Sequence, residues 1–328
     1  MTEQQIKSLT SALGVDRILF DEPIKSHTFF KQNGKAKLFF EAKNTFDLEL
    51  AVSLSIKNKI PFVLVGTGSE TILPDNFSDY LLIKNSCRGI RLKGFRTSTN
   101  TPKNTPEVLV QVESGVTLTM LSRYCAHEGL TGLEFLQGIP GTVGGGIKNN
   151  VGAMPTVKNF LGNFVYLAEI IEVNTAKKKL VNIDFFNFDY GRTSLQGTKT
   201  VIVQVVLKLQ KNSIENQTAN FSKNIIFTGT NLLTGPVFIN ISHKDAVRLS
   251  TKHFTLSPSY IIRQLELKEN IFGKVSIYPD DPNRFILESG FASDDVSRLI
   301  RYIRKHAREV FSLNLEPRVD IIKFKNNK

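Results

Sequence analysis

Chemistry in this chain is most visible where side chains are missing. The segment Gly129-Leu-Thr-Gly-Leu-Glu-Phe-Leu-Gln-Gly-Ile-Pro-Gly-Thr-Val-Gly-Gly-Gly146 sets an Ile-Pro-Gly-Thr turn among glycines. Glycine lacks a Cβ and tolerates positive φ, and proline fixes the entry to the turn, so backbone N–H groups can line up against a phosphate or a flat ring. A second glycine turn, Gly66-Thr-Gly-Ser-Glu70, follows the apolar run Pro61-Phe-Val-Leu-Val65, and strand ends of this kind commonly hold ligand phosphates. It is not GxGxxG, because Thr71 takes the last glycine position, so a Rossmann reading is weak. An ordinary glycine-rich connection between strands is the competing reading of either segment.

Other chemistries find less support. Cys87 and Cys125 form no CxxC and have no histidine at ligand spacing, which argues against zinc and against a disulfide framework and leaves two small buried apolar residues. His27, His127, His243, His253 and His306 are scattered, with no HExxH pairing, so no metal is expected. The formal net charge of +12 permits an anionic partner. Arg298, Arg301, Lys305 and Arg308 recur at helical spacing and read as a solvated basic face; no nucleic-acid motif accompanies them, so phosphate-bearing small ligands are the simpler use of the charge. The N-terminal residues lack a basic and then apolar leader, and no run approaches the ~18 apolar residues of a membrane span, so a cytoplasmic chain with no membrane partner is expected.

The elements around the glycine turns alternate between strand and helix. Lys37–Glu41 reads as a strand, Asn44-Thr45 as a cap for a helix carrying Leu48, Val52 and Ile56, and 61–65 as a buried strand. Leu81–Ile83 continues the pattern, 96–107 is polar with two prolines and reads as an exposed loop, and 108–112 is a strand. Thr117 caps a helix that ends at Gly129 with Leu118, Leu121 and Cys125 inward. The β-branched stretches 164–173, 179–183 and 201–207 follow, and composition changes near 211–217. Two helices then start at Ser257-Pro258 and at Ser293; the second places Val296, Leu299, Ile300, Ile303, Ala307 and Val310 on one face. A strand over 319–324 closes the chain. With 328 residues, two or three domains are expected.

The glycine segment, continued by Asn150 and Gly152-Ala153, closely resembles the flavin-binding signature of the UDP-N-acetylenolpyruvoylglucosamine reductases (UDP-N-acetylmuramate dehydrogenase, MurB). Lys35-Ala36, Gly66-Thr-Gly-Ser69 (the family usually has Gly-x-Gly-Ser-Asn), Val112-x-x-Gly115, Phe188-x-Tyr190, Phe285-Ile-Leu, Gly290, Asp295-Val296 and Leu315-Glu-Pro-Arg-Val319 fall in family order. The resemblance implies an α+β, vanillyl-alcohol-oxidase (PCMH)-type FAD-binding fold. Two subdomains, 1–85 and 86–210, would grip FAD, and 211–315 would be a C-terminal α+β substrate domain, with 316–328 returning to the first. Gly66, Gly68, Ser69, Ile139, Pro140, Gly141, Thr142, Gly144, Gly145 and Asn150 would bind the cofactor, and Tyr190 and Asn240 the substrate. The implied activity is NADPH-dependent, FAD-mediated reduction of an enolpyruvyl double bond on a UDP-linked sugar by a monomeric enzyme of peptidoglycan precursor synthesis.

The chain departs from the family at the places assigned to substrate chemistry. The family serine, a proton donor, falls at Pro236 in Gly235-Pro-Val-Phe-Ile-Asn240, and its glutamate falls at Arg318. The family's Tyr-Arg-x-Ser reads Tyr190-Gly-Arg-Thr-Ser194, so its arginine becomes Arg192 after a one-residue insertion. A family lysine is Ile239, and a later His and Asn fall near Pro282 and Glu288. Thr234, Ser242, His243 or Lys244 could replace the lost acid, or be surface polar residues. Two functions therefore compete: a diverged but active reductase, and a flavin-binding protein that has lost the reductase activity.

Overall fold

The structure, a computed structural model, describes residues 1–96, 107–152, 159–189, 191–211, 227–228, 231–268 and 271–322. The polar loop expected over 96–107, the composition change at 211–217, Tyr190 and Ala153 lie wholly or mostly outside the described residues.

In chain order the elements begin with helix α1 (Glu3–Leu13), strands β1 (Ile18–Pro23) and β2 (Lys35–Ala42), helix α2 (Thr45–Lys57), and strands β3 (Phe62–Val65), β4 (Thr71–Ile72), β5 (Asn76–Asn85), β6 (Ile90–Arg96) and β7 (Glu107–Glu113). Helix α3 (Leu118–His127), strand β8 (Leu130–Thr131), helix α4 (Val143–Lys148) and strands β9 (Val165–Glu172), β10 (Lys177–Asn182) and β11 (Thr200–Lys211) come next. Strands β12 (Phe227–Thr228) and β13 (Asn231–Leu233), helices α5 (His243–Arg248) and α6 (Pro258–Gln264), strands β14 (Ile271–Phe272), β15 (Val275–Ile277) and β16 (Phe285–Leu287), helix α7 (Ser293–Phe311) and strand β17 (Asp320–Ile321) complete the chain.

These elements form two compact units. The first comprises Met1–Glu22, Ala36–Thr67 and Ser78–Asn224. It holds a sheet of order β1-β2-β5-β3, with β3 and β5 parallel, and a sheet of order β10-β9-β11-β7-β6 to which β8 adds at β11. In the second sheet β10 and β9, β9 and β11, β11 and β7, β7 and β6, and β8 and β11 pair antiparallel. On β7, Val108, Val110 and Val112 are buried and alternate with half-buried neighbours, so one face meets Leu118, Leu121 and Cys125 of α3. A separate core gathers Leu38 and Phe40 of β2, Leu48, Ala51 and Val52 of α2, and Leu9 and Leu13 of α1. Each fully buried side chain of this size contributes about 1.5–3 kcal/mol.

Local chemistry explains where the helices start. The Asn44 side chain accepts from the Asp47 N–H and the Thr117 hydroxyl from the Met120 N–H, as the sequence suggested. Helix α1 has a reciprocal capping box between Thr2 and Gln5.

The second unit comprises Pro23–Lys35, Gly68–Phe77 and Ile225–Lys328. It holds the antiparallel sheet β12-β13-β16-β15-β14 and the parallel pair β17-β4. Its core is built from the apolar stripe of α7, namely Val296, Leu299, Ile300, Ile303 and Ala307, with Phe285, Leu287, Ile261 and Phe238. Val310, expected on that stripe, is 57% exposed. It sits one residue from the helix end, and the next residue, Phe311, packs against the core instead. The N-cap of α7 is Ala292; Ser293 is the first helical residue, and its N–H and hydroxyl donate to the Asp75 carboxylate at 3.2–3.3 Å. The basic residues of α7 point outward and are largely answered locally, Arg298 by Asp295, Arg301 by Asp294 and Lys305 by Glu309. Among the described residues, no helix is long and apolar enough to cross a membrane and no group of three His, Cys, Asp or Glu could hold a metal.

Candidate functional site

In the first unit the glycine segment is stitched to the turn between β7 and α3. Leu118 N–H donates to Gly141 O at 3.1 Å, Val143 N–H to Val116 O at 2.8 Å and Gly144 N–H to Ser114 O at 2.8 Å. These bonds hold the chain through Gly141, whose φ of 150° is open only to glycine, and start α4 despite three glycines in its six residues. The same stitching presents Thr142 to Gly66. A Cβ on Gly66 would overlap the Thr142 hydroxyl and lie 2.6 Å from its Cγ2. Two glycine turns far apart in sequence are thereby packed against each other at the end of β3. Thr142 stands at the N-cap of α4, yet its hydroxyl makes no capping bond.

Asn150 braces the far end of this segment. It is 4% exposed with φ at 41°, its Nδ2 donates to Asp189 O at 2.7 Å, and its Oδ1 accepts from Gly162 N–H at 3.1 Å. Asp189 and Arg192 exchange backbone hydrogen bonds at 3.0 and 3.2 Å, and the Thr193 hydroxyl donates to Lys148 O at 2.8 Å. The turn carrying the exposed Arg192 is thus anchored to the end of α4, and the Asn150 amide serves that anchoring.

The second unit gathers the positions that the resemblance assigns to the missing acid groups. Arg318 N–H donates to Val237 O at 2.7 Å and Phe238 bridges Pro317, so Pro236 and Arg318 lie on paired backbone segments. Asn283 fixes this place from a third side: its Oδ1 accepts from Phe238 N–H at 2.8 Å and its Nδ2 donates to Phe238 O at 2.9 Å. The Arg318 guanidinium pairs with Glu70, Nη2 to Oε1 at 3.2 Å, and that carboxylate oxygen lies 3.3 Å from where a Cβ on Gly235 would stand. Sequence reasoning named Arg318 but missed Glu70. The available signal was a double departure, Glu70 for the family's Asn and Arg318 for its Glu, which together place an acid opposite a base across one contact.

The substitutes considered for the lost proton donor fare unevenly. Thr234 is buried rather than on the surface, and its hydroxyl accepts from Phe285 N–H at 2.9 Å. Ser242 is exposed and caps α5, with its hydroxyl donating to Asp245 at 2.6 Å. His243 and Lys244 are exposed. Asn240 is half-buried between Ile239, whose N–H donates to Glu316 O, and Ile241, whose N–H donates to Leu256 O. Ser69 and Gly68 precede Glu70, and Gly68 packs on Thr28 at φ 69°.

The bare backbone at Gly66 and Gly141, together with a Thr142 hydroxyl free of capping duty, fits a cofactor with a diphosphate and a flat ring. Both thiols are excluded from such chemistry, because burial pushes Cys87 and Cys125 up to about 12.

Comparison with known proteins agrees with this geometry. A family model described as an FAD binding domain matches residues 36–174. The UDP-N-acetylenolpyruvoylglucosamine reductase of Alkaliphilus metalliredigens is 26% identical over 330 residues, covering 98% of both chains. That of Syntrophus aciditrophicus is 27% identical over 324 residues, covering 98% of this chain and 95% of its own. Among solved structures, the Thermus caldophilus UDP-N-acetylenolpyruvylglucosamine reductase (MurB) superposes with a TM-score of 0.65 at 20% identity, over 93% of this chain and 98% of that one. The α+β FAD-binding fold expected from the sequence is the fold observed.

Proposed function

We propose that the chain is an FAD-dependent reductase of the UDP-N-acetylenolpyruvoylglucosamine reductase type, acting with NADPH on an enolpyruvyl group of a UDP-linked sugar, a reading supported by its similarity to those reductases and by its FAD binding domain. The observation that carries this is the packing of the Thr142 side chain on Gly66, which brings the two glycine turns together. Bound FAD would supply the hydride relay between NADPH and the substrate.

The chain's own residues then divide the work. Gly66, Ile139, Pro140, Gly141, Thr142, Gly144 and Gly145 form the cofactor set, together with Gly68 and Ser69, which follow directly in the chain. Asn150 positions the Asp189–Arg192 turn, and Arg192 is the anion contact. Tyr190 and Asn240 complete the proposed substrate set. A proton must reach the reduced carbon. Proline at 236 has none, so protonation here relies on a neighbouring group or on water. Residues 1–85, 86–210 and 211–315 are the proposed domains of a cytoplasmic monomer, supported by the separate sheets found in each range.

The test is an anaerobic two-step titration. Purified yellow protein should bleach with NADPH and regain its 450 nm-region absorbance when UDP-N-acetylenolpyruvoylglucosamine is added. Protein that bleaches but is not reoxidised would be the flavin-binding alternative. Protein that stays colourless after refolding with FAD would refute the cofactor assignment itself.

A further inference from the structure

Arg318 and Glu70 are held opposite each other by backbone, before their side chains interact at all. Arg318 is fixed by its bond to Val237 O and by the Phe238–Pro317 bridge. Glu70 is fixed where its carbonyl accepts from Asp320 N–H at 2.9 Å, at the start of the β4–β17 ladder. The two side chains are only 13% and 25% exposed, so their charges meet in a largely dehydrated place.

The guanidinium is incompletely satisfied there. Arginine presents Nε–H and Nη–H along one edge, spaced to give two parallel bonds to a single carboxylate. Glu70 contacts Nη2 at 3.2 Å, longer than the ~2.7–2.9 Å of a strong charge-assisted bond, while Arg318 Nε is buried with no hydrogen-bond partner. A buried donor without an acceptor is unfavourable, and a ligand that supplies one is favoured. Gly235 beside the Glu70 oxygen carries no side chain, so no side chain from that residue covers the carboxylate.

We propose that Arg318 anchors a carboxylate-binding site in the second unit, in which Glu70 is a built-in carboxylate that a ligand's carboxylate displaces to take the full Nε–Nη edge. The ligand is a small planar carboxylate: the Nε–H and Nη–H are coplanar and match two coplanar oxygens, whereas a tetrahedral phosphate dianion adds bulk and a second negative charge that the single guanidinium of Arg318 does not balance. The site uses no part of the proposed flavin surface, and it stands or falls apart from it.

Solution NMR of the 15N-labelled full chain tests this directly. The Arg318 Nε–H resonance is assigned by its absence in Arg318→Lys, and the protein is titrated with acetate, with acetamide as the uncharged isostere and with inorganic phosphate. Acetate should shift that resonance saturably; acetamide should not, and phosphate should bind more weakly. Glu70→Gln is nearly isosteric and removes the internal competitor, so acetate should bind about tenfold or more tightly, the size expected of one charge-assisted hydrogen bond. Arg318→Lys keeps the charge but loses the two-pronged edge, and should weaken acetate binding by a similar factor, read from backbone amides near Val237. Absence of a saturable acetate shift in the native protein, equal binding of phosphate, or unchanged affinity in Glu70→Gln would overturn the assignment. If Glu70→Gln does not fold, the native titration and its two controls decide.

Discussion

Replacing Arg318 by Glu would restore the family residue, yet it should damage this protein. At 3.2 Å and an effective dielectric of about 20, the Arg318–Glu70 attraction is about 5 kcal/mol before desolvation is subtracted. Exposed pairs are worth about 0–1 kcal/mol, and breaking a buried pair costs about 3–5 kcal/mol. Exposures of 13% and 25% place this pair nearer the buried limit. Arg318→Glu also sets two carboxylates against each other, so we expect a loss of about 2–3 kcal/mol. Glu70→Asn leaves a dehydrated guanidinium poorly answered and should cost about 1–2 kcal/mol. The double variant Arg318→Glu/Glu70→Asn recreates the family combination and should fall short of the sum by at least about 1 kcal/mol, because each change removes the penalty of the other. Urea unfolding followed by far-UV circular dichroism measures this. With an m-value of about 3 kcal/mol/M, the single Arg318→Glu change moves the midpoint down by somewhat under 1 M. Losses that add to within ~0.5 kcal/mol would show the two residues to be energetically independent and would refute the mutual compensation of the two substitutions.

Other perturbations address the remaining elements. Gly141→Val places a branched side chain at φ 150° and should abolish FAD retention, read as loss of yellow colour after gel filtration; full flavin content would remove Gly141 from the cofactor set. Cys87 and Cys125, raised to about 12 by burial, should resist iodoacetamide at pH 8 in the native state and react after unfolding. Because their folded pKa lies above the unfolded value of 9.0, their contribution to stability is complete below pH 9 and declines as pH rises from 9 towards 12; a stability that rises across that window would contradict it. Affinity for NADPH should fall steeply with salt, since the Debye length shrinks to about 3 Å at 1 M, and Arg192→Ala should flatten that dependence. Pro236→Ser made with Arg318→Glu and Glu70→Asn should speed reoxidation of reduced flavin by the enolpyruvyl substrate by up to ~10²-fold without altering reduction by NADPH. An unchanged second step would place the proton source elsewhere.

How much of this could be read beforehand depended on the range of the interactions involved. The caps at Asn44 and Thr117 and the stripe on α7 are written within a few residues, and the structure contains them. The Thr2–Gln5 box is equally local, a reciprocal pair three residues apart. Helix α4 could not be inferred from propensity, since three glycines oppose it; it exists because Val116 and Ser114 carbonyls capture the Val143 and Gly144 amides, a tertiary effect. Val310 follows the apolar period yet is exposed while its neighbour Phe311 packs against the core, a choice of face at the helix end that periodicity does not reveal.

The functional residues divide along the same line. The glycines proposed to line the cofactor announce themselves, because a backbone that must approach another surface has few residue choices. Their mutual packing, Gly66 on Thr142, required the fold. At positions 70 and 318 each substitution taken alone looks like loss: an amide becomes an acid, and an acid becomes a base. Only the 3.2 Å contact between them makes the pair intelligible, for the acid gained at one position answers the base gained at the other. Drift after loss of function has no reason to preserve such reciprocity, so the altered acid positions are better understood as a rebuilt site than as a decayed one.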